Sequence, residues 1–180
     1  MKLYMILIGA TLPGRHIEQH DIYFGIGDDL KSLVPDLFNF WPEANGKIHI
    51  DAWREVTQVN GFRINVVEKG ASNPDKLFFL NLGGYKEGDF EEPHYKLLVV
   101  EQDKAAAIKR AKETAFYKHT GFAGAPSHID DKYGVDVDDV FEIEEALSAD
   151  FKEKFSLSIF HAEGGKNDEI HLGYLPLQKI

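Results

Sequence analysis

Residues Leu3–Ile26 read LYMILIGATLPGRHIEQHDIYFGI, and residues Leu77–Val100 read LFFLNLGGYKEGDFEEPHYKLLVV. The two stretches lie over one another without a gap at a spacing of 74. Each is an apolar run, a polar segment around a glycine (Gly14 or Gly88), an E-x-H triplet, and a second apolar run. The triplets are Glu18 with His20 and Glu92 with His94. A helix-like segment follows in both, and then the tripeptide His-Ile-Asp, at His49–Asp51 and at His128–Asp130, where the spacing has grown to 79. Self-similarity on this scale predicts one unit used twice.

Working outward, Leu3–Ile8 and Leu77–Leu82 are continuous apolar runs, as central strands require. Asp21–Ile26 and Tyr95–Val100 are their expected antiparallel partners. Asp28 and Asp29 offer a cap to a helical pattern through Leu33, Leu37 and Trp41, which Pro35 should split. Asp103 can cap a cleaner helix, with Ala105, Ile108, Ala111, Ala115 and Phe116 on one side and Lys104, Lys109, Arg110 and Lys112 largely outside it. Lys47–Val56 and Phe62–Val67 flank Asn60-Gly61, a strong hairpin signal. In the second copy Phe141 and Ile143 match Phe62 and Ile64 at 79, and the acidic run DDKYGVDVDD over 130–139 reads as a loop or short helix. Beyond Ala149, alternating Phe155, Leu157 and Ile159, a turn at Gly164–Asn167, and Glu169 with His171 make a partial third echo.

These readings predict an α+β fold: internally duplicated antiparallel sheet-and-helix units sharing one core, with a C-terminal hairpin. The expected organisation is a single pseudo-symmetric domain over 1–180. Its repeats span 1–70 and 75–148, with the partial hairpin over 153–180.

The bulk properties exclude more than they identify. A chain of 180 residues with 43% hydrophobic content can build a real core. The formal charge of -10 discourages long-range attraction to nucleic acid or anionic lipid. No apolar run approaches the roughly 20 residues that cross a bilayer. Zero cysteines removes disulfides, zinc thiolates and thiol nucleophiles, and is compatible with a cytoplasmic setting. The expected partners are proteins or a second copy in a homodimer, with a small molecule possible and Trp53, Tyr85 and Tyr133 as surface candidates.

The chemistry on offer is carboxylate and imidazole. Residues two apart on a strand share a face, so Glu18/His20, Glu92/His94, His49/Asp51 and His128/Asp130 could each act together. Such groups ligate metals or exchange protons. His20, His49, Asp51, His94, His128 and Asp130 are therefore the metal candidates, Glu18 and Glu92 the candidate catalytic bases, and Arg15, His20 and His94 the ligand-binding candidates. Against this stands a plain structural role, with histidines hydrogen-bonded at strand ends and aspartates capping turns. No dinucleotide fingerprint, phosphate loop, H-E-x-x-H, nucleophile elbow or calcium loop is present.

The segments GRHIEQHDIYFGIG, KIHIDAWREV, LFFLNLGGY, HYKLLVV, TAFYKHTGF and SHIDDKYGVDVDD resemble a bacterial family of uncharacterised proteins. Its domain of unknown function (family 1543) occurs once or twice per chain, in agreement with the internal repeat. The likeness spans roughly the first 145 residues and implies no catalytic assignment. The expected function is a noncatalytic binding or protein-interaction module, with a metal-assisted hydrolase as the alternative.

Overall fold

A computed structural model describes residues 1–70, 73–83, 90–91, 93–113, 136–162 and 164–180, with the side chains of 136–138 outside that description. The fold is α+β, with separate antiparallel sheets and short helices. The chain divides into two compact units, one comprising 1–72 and 147–180 and the other 73–146.

The first unit is built around β1 (Lys2–Ala10), which pairs on one side with β2 (Gln19–Gly27) and on the other with β3 (His49–Glu55). Between β2 and β3 the helical pattern is split next to Pro35, into a short turn at Lys31–Leu33 and α1 (Val34–Phe40). Asp29 supports the entry, its side chain accepting from the Ser32 backbone N–H at 2.8 Å. Tyr4, Ile6 and Ile8 of β1 pack with Leu33, Leu37, Ile48 and Ile50 in a buried cluster. Fully burying an isoleucine or leucine is worth about 1.5–3 kcal/mol, so this apolar face fixes which way the sheet is turned. β4 (Gln58–Val59) and β5 (Phe62–Glu68) meet at Asn60-Gly61, where φ is 51° and 81°. Positive φ at both central residues is what a two-residue hairpin of this twist demands.

The segment 153–180 enters this unit as two strands in different sheets. After α4 (Ala149–Lys154), β9 (Phe155–His161) pairs along β5, while β10 (His171–Pro176) pairs along β3. A hairpin standing alone buries too little to be stable, and here each strand lies against an arm of the β3–β5 segment instead. One carboxylate fixes the connection: Asp168 accepts from Thr57 N at 2.9 Å, Thr57 Oγ1 at 2.5 Å and Gln58 N at 3.1 Å. β10 is the outer strand of the order β10-β3-β1-β2.

The second unit has the order β7-β6-β8, from β6 (Lys76–Gly83), β7 (His94–Glu101) and β8 (Asp136–Glu142). α2 (Lys104–Lys112) begins at Asp103, whose side chain accepts from Ala106 N at 2.8 Å, and packs buried Ala107 and Ala111 against Phe78, Leu80, Leu82 and Val99. Lys109, Arg110 and Lys112 lie in its last turn, where cations oppose the helix dipole favourably. α3 (Ile143–Ala146) follows β8.

Over 136–139 the strand β8 corrects the reading of the acidic run as a loop or short helix, while 130–135 lie outside the described residues. It is an outer strand, so it needs one paired edge and tolerates charge along its length. Val140 packs on the buried cluster and Phe141 meets Phe79 with ring centroids 5.1 Å apart. Phe141 therefore sits on the strand beside β6, whereas Phe62, its expected counterpart, lies on β5.

The two units share registers. Lys2 faces Gly27 and Gly9 faces His20 in the first; Lys76 faces Glu101 and Gly83 faces His94 in the second, each 74 residues on. The irregularity between Leu7 and Ile8 against β3 has its match between Asn81 and Leu82 against β8, again 74 on. Lys2 pairs with Glu55 at 2.6 Å and Lys76 with Glu142 at 2.7 Å, bridging the corresponding strands.

Candidate functional site

At the end of β1, Gly9 faces His20 of β2 on one side and His49 of β3 on the other. Cross-strand partners on one face stand only about 5 Å apart at Cβ, so two imidazoles flanking a glycine can lean together over the bare backbone. The irregularity between β1 and β3 leaves Asp51 without a directly facing residue on β1, beside His49. Glu18, one residue before β2, completes the group.

Each carboxylate reaches both rings. Glu18 Oε1 lies 3.2 Å from His49 Nε2 and its Oε2 3.7 Å from His20 Nε2. Asp51 Oδ2 lies 3.2 Å from His20 Nε2 and its Oδ1 3.3 Å from His49 Nε2. His49 is buried, with 8% of its side chain exposed, whereas Glu18 and His20 are at 40% and 42%. Despite these approaches, His49 Nε2 and Asp51 Oδ2 are buried without a hydrogen-bond partner. Proximity alone does not make a hydrogen bond; the atoms must also point at one another.

Gly9 makes the space. A Cβ there would fall 2.5 Å from His49 Nε2 and 2.6 Å from Asp51 Oδ2. Any side chain at position 9 would clash with those two atoms and force them to shift. Tyr174 of β10 covers His49, with ring centroids 4.4 Å apart.

The structure thus gathers Glu18, His20, His49 and Asp51 within the first unit. Arg15 stands outside the cluster, exposed in the turn closed by its own N–H to Leu12 O at 3.2 Å. His94 opens β7 in the second unit, facing Gly83. Glu92, His128 and Asp130 lie outside the described residues, as do Tyr85 and Tyr133. Trp53, expected at the surface, is half-buried: it stacks on His171 at 3.9 Å between centroids and 13° between planes, and meets Tyr4 at 6.1 Å. The third E-x-H histidine is therefore a packing partner of Trp53. Among the described residues, no group of three or more His, Asp or Glu side chains is placed to hold a metal ion.

The second unit places Asp136 opposite Gly83, the register position that His49 holds opposite Gly9. Asp138 correspondingly takes the irregular position of Asp51. The His-Ile-Asp alignment at 79 missed this, because the register displacement from His49 to Asp136 is 87. The signal was present as alternation, IHID over 48–51 against VDVD over 135–138. Gly9 and Tyr174 carried no sequence signal that set them apart.

No described helix is long and apolar enough to cross a membrane. No functionally curated protein matches the chain. Among solved structures, a protein Il1583 from Idiomarina loihiensis is similar in fold, with 22% identity, a TM-score of 0.65, and coverage of 98% of this chain and 97% of that one. Residues 15–66, which carry Glu18, His20, His49 and Asp51, match the family model described as Domain of Unknown Function (DUF1543).

Proposed function

We propose that the chain is a noncatalytic binding module whose first unit takes up a small ligand, presenting positive charge or hydrogen-bond donors, above Gly9. The observation that carries this is the pair of buried, unpartnered atoms, His49 Nε2 and Asp51 Oδ2. Leaving a buried polar group unsatisfied costs about 1–3 kcal/mol. Folded proteins rarely retain two such atoms side by side without a use for them. Two carboxylates and two ring nitrogens offer an acceptor-rich surface, which favours a cationic or donor-rich occupant.

The same reading treats the second unit as a repeat of the first. Shared registers, the matching irregularity, and the Lys2–Glu55 and Lys76–Glu142 pairs support it. Self-association is supported by β10, an outer strand around which Ile170, Leu172 and Tyr174 are 58%, 80% and 70% exposed. A metal-assisted hydrolase is the second reading. It rests on Glu18, whose exposed carboxylate reaches both imidazoles and is placed to take a proton from water.

Thermal unfolding in the presence of small cations and amines tests the binding role. Ligand-dependent stabilisation that disappears in His49→Gln is expected. Stabilisation of equal size in that variant would place binding elsewhere.

A further inference from the structure

We infer that the occupant of the Gly9 site is a single divalent first-row transition ion of the zinc or manganese kind, held by His20 Nε2, His49 Nε2 and the carboxylates of Glu18 and Asp51. This rests on reading those residues as a binding site and names what they bind.

The donor set is the first argument. Two imidazole nitrogens with two carboxylate oxygens suit zinc, manganese or iron, whereas calcium and magnesium prefer oxygen throughout. An organic ammonium ion would use the same groups as hydrogen-bond acceptors, and the amines tested below distinguish it from a metal. Spacing is the second. Bonds of about 2.1 Å in a tetrahedral site put ligand atoms about 3.4 Å apart. Each ring nitrogen has an oxygen of both carboxylates within 3.2 to 3.7 Å, through different oxygens of each, so a small rotation of each carboxylate is needed to bring one oxygen to both nitrogens.

Direction is the third argument, and independent of distance. A proton-bridged cluster of imidazolium and carboxylate would aim each N–H at an oxygen. His49 Nε2 lies 3.2 and 3.3 Å from two carboxylate oxygens and hydrogen-bonds to neither. Ligands converging on a common point have that property. Gly9 keeps the floor beneath that point clear, since a Cβ there would stand only 2.5 Å from His49 Nε2 and 2.6 Å from Asp51 Oδ2 and displace both.

As they stand, the side chains are not a finished chelating set. The division of exposure explains how one forms. His49 and Asp51 are the enclosed half, at 8% and 26%, while Glu18 and His20, at 40% and 42%, are free to rotate onto an ion seated against them. Tyr174, packed on the His49 ring, limits its rotation from the other side.

The experiment uses the full chain prepared without a nickel column and freed of metal by chelation. Zinc binding is followed calorimetrically and cobalt binding by its visible spectrum, with His49→Gln, Asp51→Asn and the more exposed His20→Gln as variants. Putrescine and methylguanidinium are tested in parallel by thermal shift. The expected result is one zinc per chain and a cobalt spectrum of low coordination number. Affinity should fall about 100-fold or more in each variant, at least what loss of an outer-shell partner costs. His20→Gln keeps the test decisive if the buried variants fold poorly. Zinc binding unchanged in His20→Gln, or more than one equivalent ion, overturns the assignment. No zinc binding, together with amine-induced stabilisation that needs His49, overturns the metal and leaves the binding module standing. Neither response overturns both.

Discussion

His49 Nε2 sits where a methyl group on Gly9 would have to go, 2.5 Å from the position of the missing Cβ. The glycine is therefore part of the site, although it offers no donor or acceptor side chain. Gly9→Ala should destabilise the chain by about 1–3 kcal/mol through overpacking. It should also push His49 and Asp51 apart and remove ligand-induced stabilisation. Retention of that stabilisation in Gly9→Ala would show that the space above Gly9 is not used.

Asp168 joins the connection before β10 to the turn from β3 into β4 through three hydrogen bonds, one of them from the Thr57 hydroxyl. Bonds to a charged acceptor are individually worth about 1.5–3 kcal/mol and are not additive. Asp168→Ala should cost about 2–3 kcal/mol in denaturant unfolding, with faster amide exchange at Thr57 and Gln58. A loss below about 0.5 kcal/mol would mean that water replaces the carboxylate freely.

Asp36 supplies a pH dependence. Burial, and then the negative charge of Asp150, holds its carboxyl above the ordinary 3.8. The folded chain therefore binds this proton more tightly than the unfolded chain does. The ionised group opposes folding at neutral pH, and that penalty is lifted as pH falls through the raised value. Asp36→Asn should accordingly raise the melting temperature at pH 7 and lose its advantage in the acidic range. An advantage that persists unchanged to low pH would assign the effect to something other than this titration.

The outer strand β10 offers a test of self-association. Leu172 is 80% exposed on it. If copies pair along this strand, Leu172→Lys should convert a dimer in sedimentation to a monomer without lowering thermal stability. A wild-type chain that stays monomeric over a wide concentration range removes the dimer.

How far the sequence reached depended on which physical signal each element carried. β1, β2, β6 and β7 were legible because their apolar runs are long and repeated. The Asp103 cap and the Asn60-Gly61 turn were legible because their chemistry is local. Glu18, His20, His49 and Asp51 were readable as candidates from strand alternation and the repeated triplets, but their meeting within one copy was not, because it depends on the pairing of β1 with both β2 and β3. β8 was not, because Asp136, Asp138 and Asp139 look unlike a core strand. What permits them is tertiary, a position at the edge of the described sheet beside β6. The separate destinations of β9 and β10 depend on long-range pairing with β5 and β3, which the local turn signal at Gly164 and Gly165 could not reveal. Trp53 was misplaced for a similar reason, since its cover, His171, lies over a hundred residues away.

A crystal structure of zinc-loaded protein with anomalous data at the zinc edge shows directly what lies above Gly9. The predicted result is one strong peak about 2.0–2.1 Å from Nε2 of both His20 and His49, with Glu18 and Asp51 oxygens completing the coordination. A peak at any other position, or none over Gly9 with the two rings hydrogen-bonded to the carboxylates, would contradict it.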